Sequence, residues 1–370
     1  MPSTDPAPHR VLSWLHIGDL HLTVAEAVNH RDLQRIVSLA NALLPRSLDF
    51  ALLPGDTAEN GTPAQYRLAH EALAPLRLPL HILPGDHDME PGSLHAFHAG
   101  LGAPHLPYAS RLDGHRCLFL DLVSAGGGGP DFRMDAAQLA WLAREIDDAA
   151  AAGEDVVVFQ HTYPADLRVG GAELAALLRR PQVRCVDMGH THYNELANDG
   201  DTIYMATRST GQIEEGPPGF SLAALDQGVV SWRFRRLDAA WPCVLITHPA
   251  DHRLALAPPA AEAFAVRAKV MGDVPIVTVE VQADDGDWQP MARIGPTLFA
   301  ASGAPGATRL TVRARDAAGR EDAETILPAG PGWTPPSRVA AGSDADRIGA
   351  WPEKDILGTQ LGPNRNGRHW

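Results

Sequence analysis

Cysteine is scarce: three in 370 residues (Cys117, Cys185 and Cys243), widely spaced and never as CxxC. That spacing argues against a disulfide framework or a thiolate zinc ribbon and fits reduced thiols in a core. Positive charge is short too, with 31 Lys and Arg against 45 Asp and Glu and a formal net charge of −14. Nucleic acids and anionic membranes are bound through Lys and Arg, so neither is expected as a partner. A small phosphate compound stays open, because a bound metal reverses the local field. No run approaches a membrane span, and the opening MPSTDPAPHR has no apolar signal segment, so a cytoplasmic location is expected. The glycine run AGGGGP (125–130) lacks the GK[ST] of a phosphate-binding loop and reads as a flexible connection or a flap.

What is present divides the chain in three. From about residue 10 to 238, short apolar strands (VLSWLHI, FALLP, LHILP, RCLFLDLV, VVVFQ, RCVDM, TIYMAT, VVSWRF) alternate with amphipathic helices. One helix carries Leu33, Ile36, Val37, Ala40, Leu43 and Leu44 on one face. A second starts from Asp135 as N-cap and runs through Leu139, Leu142 and Ile146, and a third carries Leu174, Leu177 and Leu178. The alternation predicts an α/β domain over 1–240. After Trp241-Pro242 only strands and turns follow. Phe264, Val266, Ala268 and Val270 alternate along one strand, as do Val277, Val279 and Val281 and then Leu310, Val312 and Ala314. DDGD (284–287) and DAAG (316–319) fit hairpin turns, so 241–330 is expected to be an immunoglobulin-like β-sandwich serving as scaffold, oligomer contact or site wall. Residues 331–370 read as an extended tail anchored by Trp351, Ile356, Leu361 and Trp370.

Five predicted strands end in potential metal ligands. They deliver Asp19 and His21 (GDLH), Asp56 (LPGD), Asp86 and His87 (LPGDHD), His161 (FQH), and His190 and His192 (GHTH). Strand ends converge on one edge of a sheet, so residues scattered in sequence can meet there. Burying so many carboxylates and imidazoles without a cation would cost several kcal/mol per group. His16 and His81, flanked by apolar neighbours within strands, read as core histidines instead.

In this order, D-x-H, GD, GD-H-D, H and GH-x-H resemble the calcineurin-like metallophosphoesterases, in particular the bacterial branch of cyclic-nucleotide and glycerophosphodiester phosphodiesterases. The resemblance covers about residues 10–238. It implies two packed β-sheets flanked by helices, with the site on the loops at the strand ends. It also implies that Asp19, His21 and His192 hold one metal, Asp56 bridges, and Asp86, His161 and His190 complete the second site. His87 then faces the substrate and stabilises or protonates the leaving group, with Asp88 behind it as an orienting group.

Two divalent ions can share a hydroxide, polarise phosphoryl oxygens and hold attack in line with the leaving oxygen. Mixed N/O ligands suit Mn, Fe, Co or Zn. The family usually has Asn where this chain has Asp86; the added charge is expected to favour Mn or Fe and a monoanionic diester over a dianionic monoester. Tyr163, Tyr193 and Asn194, which follow ligand positions, are expected to line the substrate pocket or to pack. Thr210, Gln212 and Glu214 are candidate substrate contacts. The expected activity is hydrolysis of a small phosphodiester (3′,5′-cyclic nucleotide or glycerophosphodiester class), with a homo-oligomer possible through the β-sandwich or tail. A phosphomonoesterase (nucleotidase or protein phosphatase) on the same site is the rival enzyme, and a non-catalytic scaffold of the same fold is the rival of another class.

Overall fold

The computed structural model describes residues 11–43, 47–112, 114–212, 215–257, 264–330, 332–336 and 346–358. In chain order its first part comprises β1 (Leu12–His16), α1 (Val28–Leu43), β2 (Phe50–Leu53), α2 (Pro63–Leu73), β3 (Leu80–Ile82), α3 (His95–Leu101), β4 (Tyr108–Leu112) and β5 (His115–Phe119). It continues with α4 (Ala136–Ala152), β6 (Asp155–Phe159), α5 (Gly171–Leu178), β7 (Val183–Met188), β8 (Glu195–Asn198), β9 (Ile203–Ala206), β10 (Gly219–Asp226) and β11 (Val229–Arg236). These strands form two mixed sheets, of order β11-β10-β1-β2-β3 and β4-β5-β6-β7-β9-β8.

The central strands, such as β1, β2 and β6, read as unbroken apolar runs because both faces are buried. In β6, Val157 and Phe159 enter the core between the sheets while Val156 and Val158 face the helices. Trp14 and Phe50 of the first sheet meet Phe159 of the second at 5.6 Å between ring centroids in each pair, which locks the sheets face to face. The helices then cover the outer faces through Leu33, Ile36, Val37 and Ala40 of α1 and Leu142 and Ile146 of α4, all buried. Asp135 caps α4 as expected, accepting the Gln138 N–H; Leu44 lies outside the described residues. The sequence missed α2, whose start is fixed by a reciprocal Thr62–Gln65 capping box with Pro63 at the first turn.

From residue 243 onward the strands are β12 (Cys243–His248), β13 (Ala265–Met271), β14 (Ile276–Ala283), β15 (Gln289–Pro290), β16 (Ala292–Arg293), β17 (Leu298–Ser302), β18 (Leu310–Asp316) and β19 (Glu321–Ile326). They make two antiparallel sheets, β12-β13-β17-β16 and β15-β14-β18-β19, around a core that includes Val244, Val266, Ala268, Val279, Val281, Phe299, Leu310, Val312 and Ile326. One expected inward residue is wrong. Val277 is 62% exposed, because the register of β14 against β18 shifts between Ile276 and Thr278 and turns Val277 outward. Trp288 packs against the Arg313 guanidinium at 3.9 Å.

The described part of the tail docks. Trp351 and Ile356 are buried in the same apolar cluster as Trp14 and Trp232, with the Arg253 guanidinium over the Trp351 ring at 3.3 Å. Arg347 pairs with Glu195 at 2.9 Å, and Lys354 pairs with Glu324. Leu361 and Trp370 lie outside the described residues. Among the described residues, no helix is long and apolar enough to cross a membrane.

Candidate metal centre

Five strands running the same way at their C-terminal ends supply the site. β1, β2 and β3 are parallel neighbours, as are β5, β6 and β7, so the turns after β1, β2, β3, β6 and β7 open onto a shared edge. The two Pro-Gly-Asp turns interlock there. A Cβ on Gly55 would fall 2.0 Å from His161 Nδ1, and one on Gly85 would fall 2.1 Å from Asp56 Oδ1. Each glycine thus clears space for an imidazole or a carboxylate of the site. Strain collects in the same turns: His21, Asp56, His190 and His192 all have φ between 45° and 64°. Side chains with a Cβ rarely adopt that backbone unless the surroundings enforce it.

The donor atoms form two groups that share Asp56, namely Asp19, His21, Asp56 and His192, and Asp56, Asp86, His161 and His190, each set lying within 4.8 Å and buried. In the first, His21 Nε2 lies 3.0 Å from His192 Nε2 and 3.7 Å from Asp56 Oδ2, and His192 Nε2 lies 3.7 Å from Asp19 Oδ2. In the second, His161 Nε2 is 3.2 Å from Asp86 Oδ1 and 3.5 Å from Asp56 Oδ2, and His190 Nδ1 is 3.4 Å from Asp86 Oδ1. Asp19 Oδ1 and Asp56 Oδ2 are buried without a hydrogen-bond partner. Buried carboxylate oxygens left unpaired amid converging imidazole nitrogens fit divalent cations, and the all-N/O donor set suits such ions.

Proton affinities reflect the crowding. Burial disfavours the charged form of His161, yet the carboxylates of Asp56, Asp86 and Asp19 outweigh it and hold its pKa well above the ordinary 6.5. Burial and the Asp86 charge push Asp56 up, but His161 and His21 prevail and bring it to about 2. Burial also opposes ionisation of Asp86, and hydrogen bonds to His161 and His190 keep it well below its usual range. Divalent cations binding here would compete with protons for these nitrogens and oxygens.

His87 is 25% exposed at the rim of the site. Its Nδ1 donates to the Glu59 carbonyl at 2.8 Å, which leaves Nε2 for a ligand. Burial lowers its pKa, but Asp56, the Glu59 carbonyl, Asp86 and the Glu59 carboxylate raise it further, to about 9. Asp88 does not orient His87, contrary to expectation. Its carboxylate accepts the N–H groups of Thr57, Ala58 and Gly85 and the Tyr66 hydroxyl, so it ties the two Pro-Gly-Asp turns together. Burial and the nearby Asp56 charge raise its pKa to about 6.

Of the three residues expected to line the pocket or to pack, Tyr163 and Asn194 pack. Tyr163 is fully buried and donates to Glu195 Oε1 at 2.5 Å. Asn194 is consumed by the backbone: its Oδ1 accepts the Arg208 N–H, and its Nδ2 donates to the Asp355 carbonyl of the tail. Tyr193 is only 8% exposed. Thr210 meets the site through its N–H, which donates to the Asp19 carbonyl, and Glu214 lies outside the described residues. His16 bonds Asp187 at 2.7 Å between the sheets, and His81 bonds Tyr108, as core histidines do. Two neighbours escaped the sequence reading: Phe132, whose ring lies 5.0 Å from that of His190, and Glu59, grouped with His21 and His87. The spacing of Glu59, three residues past Asp56 in the same turn, was the available signal for it.

Comparison with known proteins agrees with this geometry. Residues 12–194 match the family model described as calcineurin-like phosphoesterase. The chain is 28% identical over 213 residues to the 3′,5′-cyclic adenosine monophosphate phosphodiesterase CpdA of Escherichia coli (strain K12), covering 55% of this chain and 75% of that protein. It is 29% identical over 201 residues to the glycerophosphodiester phosphodiesterase GpdQ of Enterobacter lignolyticus, covering 48% of this chain and 69% of that protein. Among solved structures, a dimetal phosphatase from Danio rerio shares the fold at TM-score 0.51 and 14% identity, over 61% of this chain and 96% of that one.

Proposed function

Because the chain belongs to the calcineurin-like phosphoesterase family, we propose that it is a metal-dependent phosphodiesterase acting on a small phosphodiester of the cyclic-nucleotide or glycerophosphodiester class. The observation that carries this is the pair of buried four-donor groups sharing Asp56. In this reading Asp19, His21, Asp56 and His192 hold one divalent ion, and Asp56, Asp86, His161 and His190 hold the other. Bound there, such ions would polarise phosphoryl oxygens and acidify water. The chain's own part is to hold the donors, and to place His87 at the rim as the proton donor to the leaving oxygen.

Asp86 sets the preference. A carboxylate in place of the usual amide adds negative charge, which favours Mn or Fe and disfavours a dianionic monoester. Residues 1–240 would then be the catalytic domain, 241–330 an immunoglobulin-like sandwich and 331–370 an extended tail, docked through Trp351 and Ile356 of its described part. The location would be cytoplasmic, with any self-association through the sandwich or tail. The acidic balance, 45 acids against 31 bases, supports a small substrate over nucleic acid or membrane.

Hydrolysis of bis-p-nitrophenyl phosphate against p-nitrophenyl phosphate by Mn-loaded protein, with a chelator control, tests this. Chelator-sensitive preference for the diester is the expected result. Preference for the monoester would make it a phosphatase and overturn the role given to Asp86. No turnover of either by metal-loaded protein is the result that a narrow substrate requirement and the scaffold reading share.

A further inference from the structure

His161 and His21 both bring Nε2 toward Asp56, but their other ring nitrogens have unlike partners. His161 turns Nδ1 to a neutral group, the Pro54 carbonyl, at 3.0 Å. His21 turns Nδ1 to a carboxylate, Glu59 Oε2, at 3.1 Å. That carboxylate is fixed in turn. Gln212 Nε2 donates to the same oxygen at 3.0 Å and lies 3.2 Å from His21 Nδ1, while the Glu59 N–H donates to the Leu22 carbonyl at 3.1 Å. The Glu59 carbonyl accepts Nδ1–H of His87 at 2.8 Å. One residue of the Asp56 turn therefore holds an imidazole of the buried centre with its carboxylate and the rim imidazole with its backbone.

Resting on the two-ion reading of the site, we propose that Glu59 is a positioning residue for the Asp19–His21–Asp56–His192 site. Its carboxylate keeps the His21 proton on Nδ1, so that Nε2 presents its lone pair inward. It also fixes the ring plane and makes Nε2 a stronger donor than a carbonyl partner would. The other site has no such support at His161, so the two sites should differ in their sensitivity to position 59. The 28% exposure of the Glu59 side chain leaves it open to bulk water on one side, so its removal need not collapse the turn.

Calorimetric titration of the apo protein with Mn2+ tests the assignment without any turnover. Glu59→Ala is expected to weaken one of two binding phases by about 10–100-fold and leave the other unchanged. Glu59→Gln keeps the shape and an acceptor oxygen but loses the charge, and should fall between wild type and Glu59→Ala. A purely structural role would lower the apo melting temperature of both variants and leave both affinities at wild-type values, which would overturn the proposal. Equal weakening of both phases would overturn it as well. If wild type itself binds no Mn2+, the two-ion reading fails and this one with it; if wild type binds and folded Glu59→Ala binds equally, this one fails alone.

Discussion

Asp86 and His87 are adjacent in sequence and face opposite ways in chemistry, one buried among imidazoles and the other at the rim. Replacing His87 by Asn should remove proton donation, lowering kcat toward diesters by about 10²–10⁴-fold. Its Mn2+ affinity should stay at the wild-type level, which calorimetry checks. Asp86→Asn should instead change selectivity: the ratio of kcat/KM for bis-p-nitrophenyl phosphate over p-nitrophenyl phosphate should fall several-fold, and an unchanged ratio would remove the electrostatic role of Asp86. At this scale the residues of the two donor groups were legible because each sits where an apolar run stops. The side chains next to them were less legible. Being one or two residues beyond a ligand does not tell which way a side chain faces, and Tyr163 and Asn194 face inward to Glu195 and the tail. Asp88 was misread because backbone N–H groups, which carry no sequence signature, are its main partners.

At the scale of elements, strands buried on both faces were readable as apolar runs, whereas short edge strands such as β8 and β16 carry too few residues for a pattern. β3 offers a test of how burial acts on a strand. His81 stacks on Phe119 at 4.3 Å between centroids, and burial brings its pKa down from 6.5 to about 4. The folded state therefore prefers the neutral ring. This stabilisation is complete above pH 6.5 and is lost as pH falls through 6.5 toward 4, by about 3 kcal/mol in all at 1.36 kcal/mol per pKa unit. His81→Phe should flatten that part of the urea-unfolding stability curve by a similar amount. The tail gives a second test. The Asp355 carbonyl accepts from both Asn194 and Arg208, so the segment around Trp351 braces the loop that follows His192. Trp351→Ala should cost about 3–5 kcal/mol in denaturant unfolding and loosen Mn2+ binding as well. Loss of stability with unchanged Mn2+ affinity would separate the tail from the metal centre.

For the whole molecule, the centre is a local cost that the rest of the fold sustains. Its histidines and acids sit in turns at the edge shared by two sheets that aromatic packing holds together, and His21, Asp56, His190 and His192 hold left-handed backbone, each at roughly 1–2 kcal/mol. Buried Asp19 Oδ1 and Asp56 Oδ2 add unpaired acceptors to that cost. Ions that bind only the folded chain should offset it by mass action, about 4 kcal/mol per site at a thousand-fold excess over Kd. Scanning calorimetry should then show a melting transition several degrees higher with Mn2+ than with chelator. The rise should vanish in Asp56→Ala, whose carboxylate belongs to both donor groups. Asp187→Ala, which breaks the buried bond to His16 away from the donor groups, should lower the transition in both conditions while keeping the rise. Identical transitions of wild type in Mn2+ and in chelator would mean that the donors compensate one another by sharing protons, and the centre would then be a buried polar network with no stake in divalent ions.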